Sequence, residues 1–242
     1  METLESTDNP KVRRLVQLLD DKKVRAQERR VVLEGRKLIE EVSHRCKGTI
    51  YTTSQETIIP GWQQILISEK IAKKLSRTEH SENLFAEVPL PPESEALEYP
   101  LIALDAVSDP GNMGTLLRTA CAFGYKGVLL LPGCVDPFNP KVLRSSKGAL
   151  FKLAYQHADW KQIEELAQKK QLRLFGADLQ GKAIEKVEGN QFVLILGNEG
   201  RGLSQEGKRL SEKVTLPMKG DMESLNVSVA GGILMYLLAN HP

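Results

Sequence analysis

Three short segments in the second half of the chain concentrate residue types that bind and orient ligands. DPGNMGTLLRTACAFG, from Asp109 to Gly124, offers Asn112, an amide able to cap the helix that follows the Asp-Pro-Gly turn. Arg118 lies six residues further on, as a surface ion-pair donor or as a functional cation. LILGNEGRGLS, from Leu194 to Ser204, crowds Gly197, Gly200 and Gly202 around Asn198, Glu199 and Arg201. Glycines permit positive φ and close approach of backbone to a ligand. Three polar side chains between them argue for a site. LPMKGDMESLNVSVAGGILMYLL, from Leu216 to Leu238, has Ser224 as its candidate helix cap and Asn226 in the first turn.

The same residues exclude several chemistries. The spacing G-x-x-G-x-G differs from the dinucleotide fingerprint G-x-G-x-x-G, and no G-x-x-x-x-G-K-[ST] occurs, which disfavours a nicotinamide dehydrogenase and a P-loop nucleotidase. His44, His80, His157 and His241 are scattered, so no metal site is expected. Cys46, Cys121 and Cys134 lack paired spacing and read as reduced thiols.

Such loops need a scaffold that holds them together. PLIALD, GVLLLP, LRLFGA, FVLILG and KVTLP are short apolar runs, each bounded by Gly, Pro or Asp. Helix-like segments separate most of them: NMGTLLRTACAF, PKVLRSSKGAL, WKQIEELAQKK and LNVSVAGGILMYLL. This alternation predicts an α/β fold with a mostly parallel sheet covered on both faces, its ligands at the carboxyl ends of the strands. The last helix is apolar nearly all round, so burial is expected. Gly231 and Gly232 at its middle suggest close packing, with a second subunit as the natural partner.

The first half reads as a smaller α/β domain. RVVLEGRKLIEEVSHR, from Arg30 to Arg45, has a short extended start and then helical spacing; GTIYTT and QQILIS read as strands, and EKIAKKLS as a helix. Between Pro10 and Lys37 ten basic residues face four acidic ones, a local +6 that fits a phosphate-contacting arm or a solvated helix face. From Thr78 to Pro100 there are six Glu, four Pro and no Lys or Arg, a composition that reads as a linker. The expected organisation is a first domain over 1–90, a linker over 91–100 and a second domain over 101–242.

The 242 residues are 41% hydrophobic and 26% charged with a net charge of +2, the balance of a folded chain and not of a disordered one. No apolar run reaches the roughly 18 residues of a membrane span, and METLESTDNPKVRR lacks the apolar core of a signal peptide. A cytoplasmic location without membrane contact is expected.

Taken together and in order, the three ligand-binding segments resemble the SpoU family of RNA ribose 2'-O-methyltransferases, in the SPOUT superfamily, from Pro100 onward. DNPKVRRLVQLL and RRVVLEGRKLIEE look like the substrate-binding extension that many such enzymes carry, an L30e-like α/β domain. The resemblance implies a C-terminal trefoil knot, a homodimer and S-adenosyl-L-methionine bound in the knot by Leu196, Gly197, Gly200, Leu216 and Leu225. It assigns Asn112, Arg118, Glu199, Ser224 and Asn226 to catalysis, without metal. Relatives often have an acidic or small residue where Cys121 stands and a small or apolar one at Lys147; HSEN (His80 to Asn83) replaces a Pro-Gln-Gly turn.

The implied reaction is methyl transfer to a ribose 2'-hydroxyl in RNA, with ribosomal RNA favoured over tRNA because of the long first domain. A non-catalytic RNA-binding assembly factor is the alternative from another class, disfavoured by intact Arg118, Glu199 and Asn226. A guanidinium is almost always protonated. Arg118 therefore suits a phosphate clamp that polarises the hydroxyl, with the base role that the family assigns it as the alternative.

Overall fold

The computed structural model describes residues 2–184 and 189–239, in two compact units. The first comprises Met1–Pro92 with Phe138–Phe151, the second Glu93–Pro137 with Lys152–Pro242.

In the first unit the chain runs β1 (Glu2–Leu4), α1 (Pro10–Asp20), α2 (Lys22–Glu28), β2 (Arg30–Glu34), α3 (Arg36–Ser43), β3 (Thr49–Thr52), β4 (Gln63–Ile67), α4 (Glu69–Leu75) and β5 (Leu84–Pro89). The sheet order is β1-β4-β3-β5-β2, with β4 parallel to β1 and β3, and β5 antiparallel to β3 and β2. Asn9 caps α1 and Pro10 opens it; Val12, Leu15, Leu18 and Leu19 then bury one stripe against Val32, Ile65, Ile71, Leu75 and Phe85.

Two expectations change here. Leu84–Pro89 is an internal strand, although its composition reads as linker. Pro89 stands at the strand's last position, opposite Arg30, and buried Glu87 is gripped through two 2.9 Å hydrogen bonds from Arg14. The basic run is likewise not a free arm. Arg25 is buried and donates to the carbonyls of Leu18 and Leu19 at 2.6 and 3.0 Å, Arg14 also pairs with Glu28 at 2.6 Å, and Arg30 lies 3.8 Å from Glu87.

The second unit contains β6 (Leu101–Leu104), α5 (Pro110–Ala122), β7 (Gly127–Leu130), β8 (Ala154–His157), α7 (Trp160–Lys170), β9 (Arg173–Ala183), β10 (Phe192–Leu196), α8 (Gln205–Leu210), β11 (Glu212–Thr215) and α9 (Val227–Ala239). Between β7 and β8 the chain forms α6 (Pro140–Ser146) and a 3-10 turn (Ala149–Phe151), which belong to the first unit. Every pairing in the six-stranded sheet β11-β9-β10-β6-β7-β8 is parallel. All residues of β6, β7 and β10 are buried, so both faces of the central strands are covered.

Phe138–Phe151 packs with the first unit although its sequence lies within the expected second domain. Arg144 donates to buried Glu34 of β2 at 3.3 Å, and a Cβ at Gly148 would stand 3.1 Å from Leu38 and Val42 of α3.

The last helix is also not buried all round. Gly231, Leu234, Met235 and Leu238 face inward, while Val229, Ile233 and Tyr236 are 51%, 41% and 52% exposed. The close packing at Gly231 is with the chain's own α5 and β10. A Cβ there would lie 2.6 Å from Leu116 and 2.9 Å from Leu196, whereas one at Gly232 meets only Thr119 at 3.6 Å. No described helix is long and apolar enough to cross a membrane.

Candidate active site

The loop after β6 and the first turn of α5 form one wall of the site. Asp109 caps α5 by accepting from the Asn112 amide N–H at 2.8 Å, with Pro110 in the first helical position. Asn112 is therefore not the cap that its residue type suggested, and its side chain is left for the site. Buried Asp105 accepts from the Ser204 N–H at 2.7 Å, which ties the loop after β6 to the one after β10.

The loop after β10 turns tightly because two glycines allow it. A Cβ on Gly197 would collide with the backbone of Gly202 and lie 2.5 Å from the Leu203 nitrogen, and Gly202 has a φ of 69°. Asn198 fixes the turn. Its Oδ1 accepts from the N–H groups of Gly200 and Arg201 at 3.0 and 3.1 Å, and its Nδ2 donates to the Ala106 carbonyl at 2.9 Å.

At the apex, Glu199 faces the loop after β6. It accepts from the N–H and hydroxyl of Ser108 at 3.2 and 3.0 Å, from the Asp109 N–H at 2.9 Å and from Asn112 Nδ2 at 3.2 Å. Partial burial opposes its ionisation, but the backbone N–H donors, with Asn112 behind them, outweigh this and hold the carboxyl down to about 2. Glu199 is thus an anion at neutral pH and serves as an acceptor.

The network continues to the third segment. Asn226 Nδ2 donates to Asn112 Oδ1 at 3.0 Å, while Asn226 Oδ1 accepts from the N–H and hydroxyl of Ser228 at 2.8 and 2.6 Å. Asn226 therefore occupies the capping position of α9, and Ser224, the expected cap, lies exposed in the preceding loop. Glu199, Asn112 and Asn226 form one connected chain across three loops. Arg118 is exposed on α5, and its side chain makes no hydrogen bond or ion pair among the described residues.

A cavity of about 380 Å³ opens beside this chain. Leu196, Gly197, Gly200, Leu216 and Leu225 all line it, together with Glu199 and Ser224. The volume falls in the range of small-molecule sites. Its wall mixes apolar side chains such as Met218 and Val214 with loop backbone, and Asp178 and Lys208, 3.9 Å apart, add both charges. Among the described residues no group of three or more His, Cys, Asp or Glu side chains could hold a metal ion.

Sequence reasoning did not single out Asp105, Ser108 or the Ala177–Gln180 wall. Asp105 ends PLIALD, at a strand's carboxyl end where such loops were to be sought, and Pro110 is a signal that Asp109 precedes a helix. Ser108 carries no comparable signal.

Residues 100–236 match the SpoU rRNA methylase family, and residues 9–86 match the MRM3-like substrate binding domain. The chain belongs to the SpoU rRNA methylase family. It is 34% identical to the Bacillus subtilis 23S rRNA (guanosine(2553)-2'-O)-methyltransferase RlmP, over 98% of this chain and 99% of that protein. Among solved structures, the SpoU-family chain resembles an AdoMet-bound rRNA methyltransferase from Sinorhizobium meliloti, with a TM-score of 0.82, 26% identity and coverage of 97% and 96% of the two chains. It also resembles an RNA 2'-O ribose methyltransferase, with a TM-score of 0.80, 27% identity and the same coverages.

Proposed function

We propose that this chain methylates a ribose 2'-hydroxyl of 23S ribosomal RNA, with S-adenosyl-L-methionine as methyl donor. The observation that carries the reading is the Glu199–Asn112–Asn226 chain, whose Glu199 lines a cavity of small-molecule size, in a member of the SpoU family. Identity to the B. subtilis 23S rRNA enzyme across nearly the whole of both chains favours ribosomal RNA over tRNA. The test is to compare the 2'-O-methyl sites of 23S rRNA from cells with and without the gene. One site should be lost, and restored by the wild-type chain.

The cavity suits S-adenosylmethionine, since apolar Leu196, Leu216 and Leu225 can cover a nucleoside while Gly197 and Gly200 let backbone approach it. When bound, this cofactor supplies a sulfonium-bound methyl group. The attacking 2'-hydroxyl is a weak acid and needs alignment and stabilisation of its developing negative charge. Ionised Glu199 orients the Asn112 amide, Asn112 in turn orients Asn226, and Ser224 lies on the cavity wall to hold the loop. Arg118, exposed and uncommitted among the described residues, clamps the neighbouring phosphate and polarises the hydroxyl.

We further infer a trefoil knot in the second unit, an L30e-like first unit that binds the RNA, and a cytoplasmic homodimer. The crowding of residues 196–202, 214–218 and 224–234 around one cavity supports the knot. The match of residues 9–86 to a substrate binding domain supports the second of these. Val229, Ile233 and Tyr236, exposed on one side of α9, support the dimer.

A further inference from the structure

The turn that ends α6 carries a cation in a place that the RNA reading leaves unused. α6 is fixed to the first unit by committed polar groups. Buried Glu34 accepts from Ser76 Oγ at 2.8 Å, the Arg77 N–H at 3.0 Å, Thr78 Oγ1 at 2.9 Å and Arg144 at 3.3 Å. Arg144 spends its other terminal nitrogen on the Arg77 carbonyl at 3.2 Å, and Arg77 pairs with Asp20 at 2.7 Å. These guanidiniums hold structure together and are not available to a ligand.

Lys147 differs from them. It ends α6 in the left-handed conformation, with a φ of 52°, is exposed, and forms no hydrogen bond through its ammonium and no ion pair among the described residues. The next residue, Gly148, sits against Leu38 and Val42, so the turn is seated on α3. Arg45, two residues past the end of α3, donates its N–H to the Val42 carbonyl at 2.8 Å and is exposed, with no side-chain partner among the described residues. Arg36, at the start of α3, is partly neutralised by Glu40 at 3.7 Å.

We propose that Lys147, together with Arg45 on the turn after α3, contacts phosphate from the first unit and helps select the RNA. The proposal rests on the RNA reading above. It assigns to substrate binding a segment, Phe138–Phe151, that lies outside the matched substrate binding domain of residues 9–86 but is packed into the same unit. An ammonium on a rigid turn suits the phosphate backbone of RNA, which dominates affinity and makes it salt-dependent.

The test uses the full chain and an in-vitro-transcribed 23S rRNA. Lys147→Gly removes the charge while supplying the residue that best tolerates this backbone. The slope of log affinity against log salt should flatten by about 0.8, and KM for RNA should rise about fivefold at 0.1 M salt. kcat at saturating RNA, S-adenosylmethionine affinity and thermal stability should not fall. Adding Arg45→Gln should flatten the slope by about 0.8 again. Unchanged slope and KM in both variants would overturn the proposal. If the wild type binds this RNA with a slope that Lys147→Gly lowers, yet transfers no methyl, the substrate reading fails while the phosphate contact stands. Binding with no salt dependence would overturn the contact itself.

Discussion

Arg118 and Asn226 make different demands on experiment because their surroundings differ. The Arg118 side chain forms no hydrogen bond or ion pair among the described residues, so Arg118→Ala should reduce methyl transfer by about a hundredfold or more and leave S-adenosylmethionine affinity by calorimetry unchanged. Loss of cofactor binding would remove Arg118 from the RNA side of the reaction. Asn226 both caps α9 and donates to Asn112. Asn226→Asp keeps the capping oxygen and removes the donor, so it should retain stability and lose activity; Asn226→Ala should lose about 1 kcal/mol as well. Equal activity of Asn226→Asp and wild type would contradict the network. For Glu199 the sign follows from its lowered pKa. The group favours the folded state above the ordinary carboxylate range and loses that contribution as pH falls toward about 2, so Glu199→Gln should flatten the pH dependence of unfolding below pH ~4.5. Glu199 was legible as a candidate from polar residues set among glycines, whereas Asn112 and Asn226 joined the candidate set through the resemblance to the SpoU family. Their wiring was not legible, because Asp109 and Asn112 are both able to cap, as are Ser224 and Asn226, and only the backbone position decides which does.

β6, β7 and β10 were legible as apolar runs, since strands covered on both faces need no alternation, and LRLFGA and KVTLP marked the start of β9 and the edge strand β11, where only Val214 is buried. β8 was not legible, being a four-residue edge strand with only Tyr155 buried. Nor was β5, where Pro and Glu mask a strand whose charge Arg14 neutralises. The glycines of α9 looked like a subunit contact, yet steric contact at Gly231 is internal. Gly231→Ala should therefore destabilise the chain by about 1–3 kcal/mol through overpacking, whereas Gly232→Ala should be tolerated, as chemical denaturation will show. The proposed dimer is better probed at Ile233, where Ile233→Asp should give a monomer in sedimentation. A persistent dimer would place the interface elsewhere.

The acidic, Pro-rich run from Thr78 to Pro100 read as the seam between the halves although it holds β5, and the return of Phe138–Phe151 to the first unit carried no signal in the sequence. PKVLRSSKGAL looks like any helix between strands, and its partners Glu34, Leu38 and Val42 lie a hundred residues earlier in the chain. Removing residues 1–92 should thus expose Val142, Leu143 and Leu150, and the shortened chain should aggregate; a soluble fragment with wild-type cofactor affinity would contradict this. The charge of the Pro10–Lys37 stretch also changes meaning once Arg14, Arg25 and Arg30 are committed to internal partners, leaving a smaller set of cations for RNA. The most direct measurement is transfer of labelled methyl from S-adenosylmethionine to 23S rRNA taken from cells lacking the gene, followed by alkaline hydrolysis. A 2'-O-methyl group blocks cleavage of the adjoining phosphodiester, so the account predicts label in an alkali-resistant dinucleotide with wild-type chain and about a hundredth of it or less with Arg118→Ala. Label released in mononucleotides, which would mean methylation of a base, or no incorporation with wild-type chain, would contradict it.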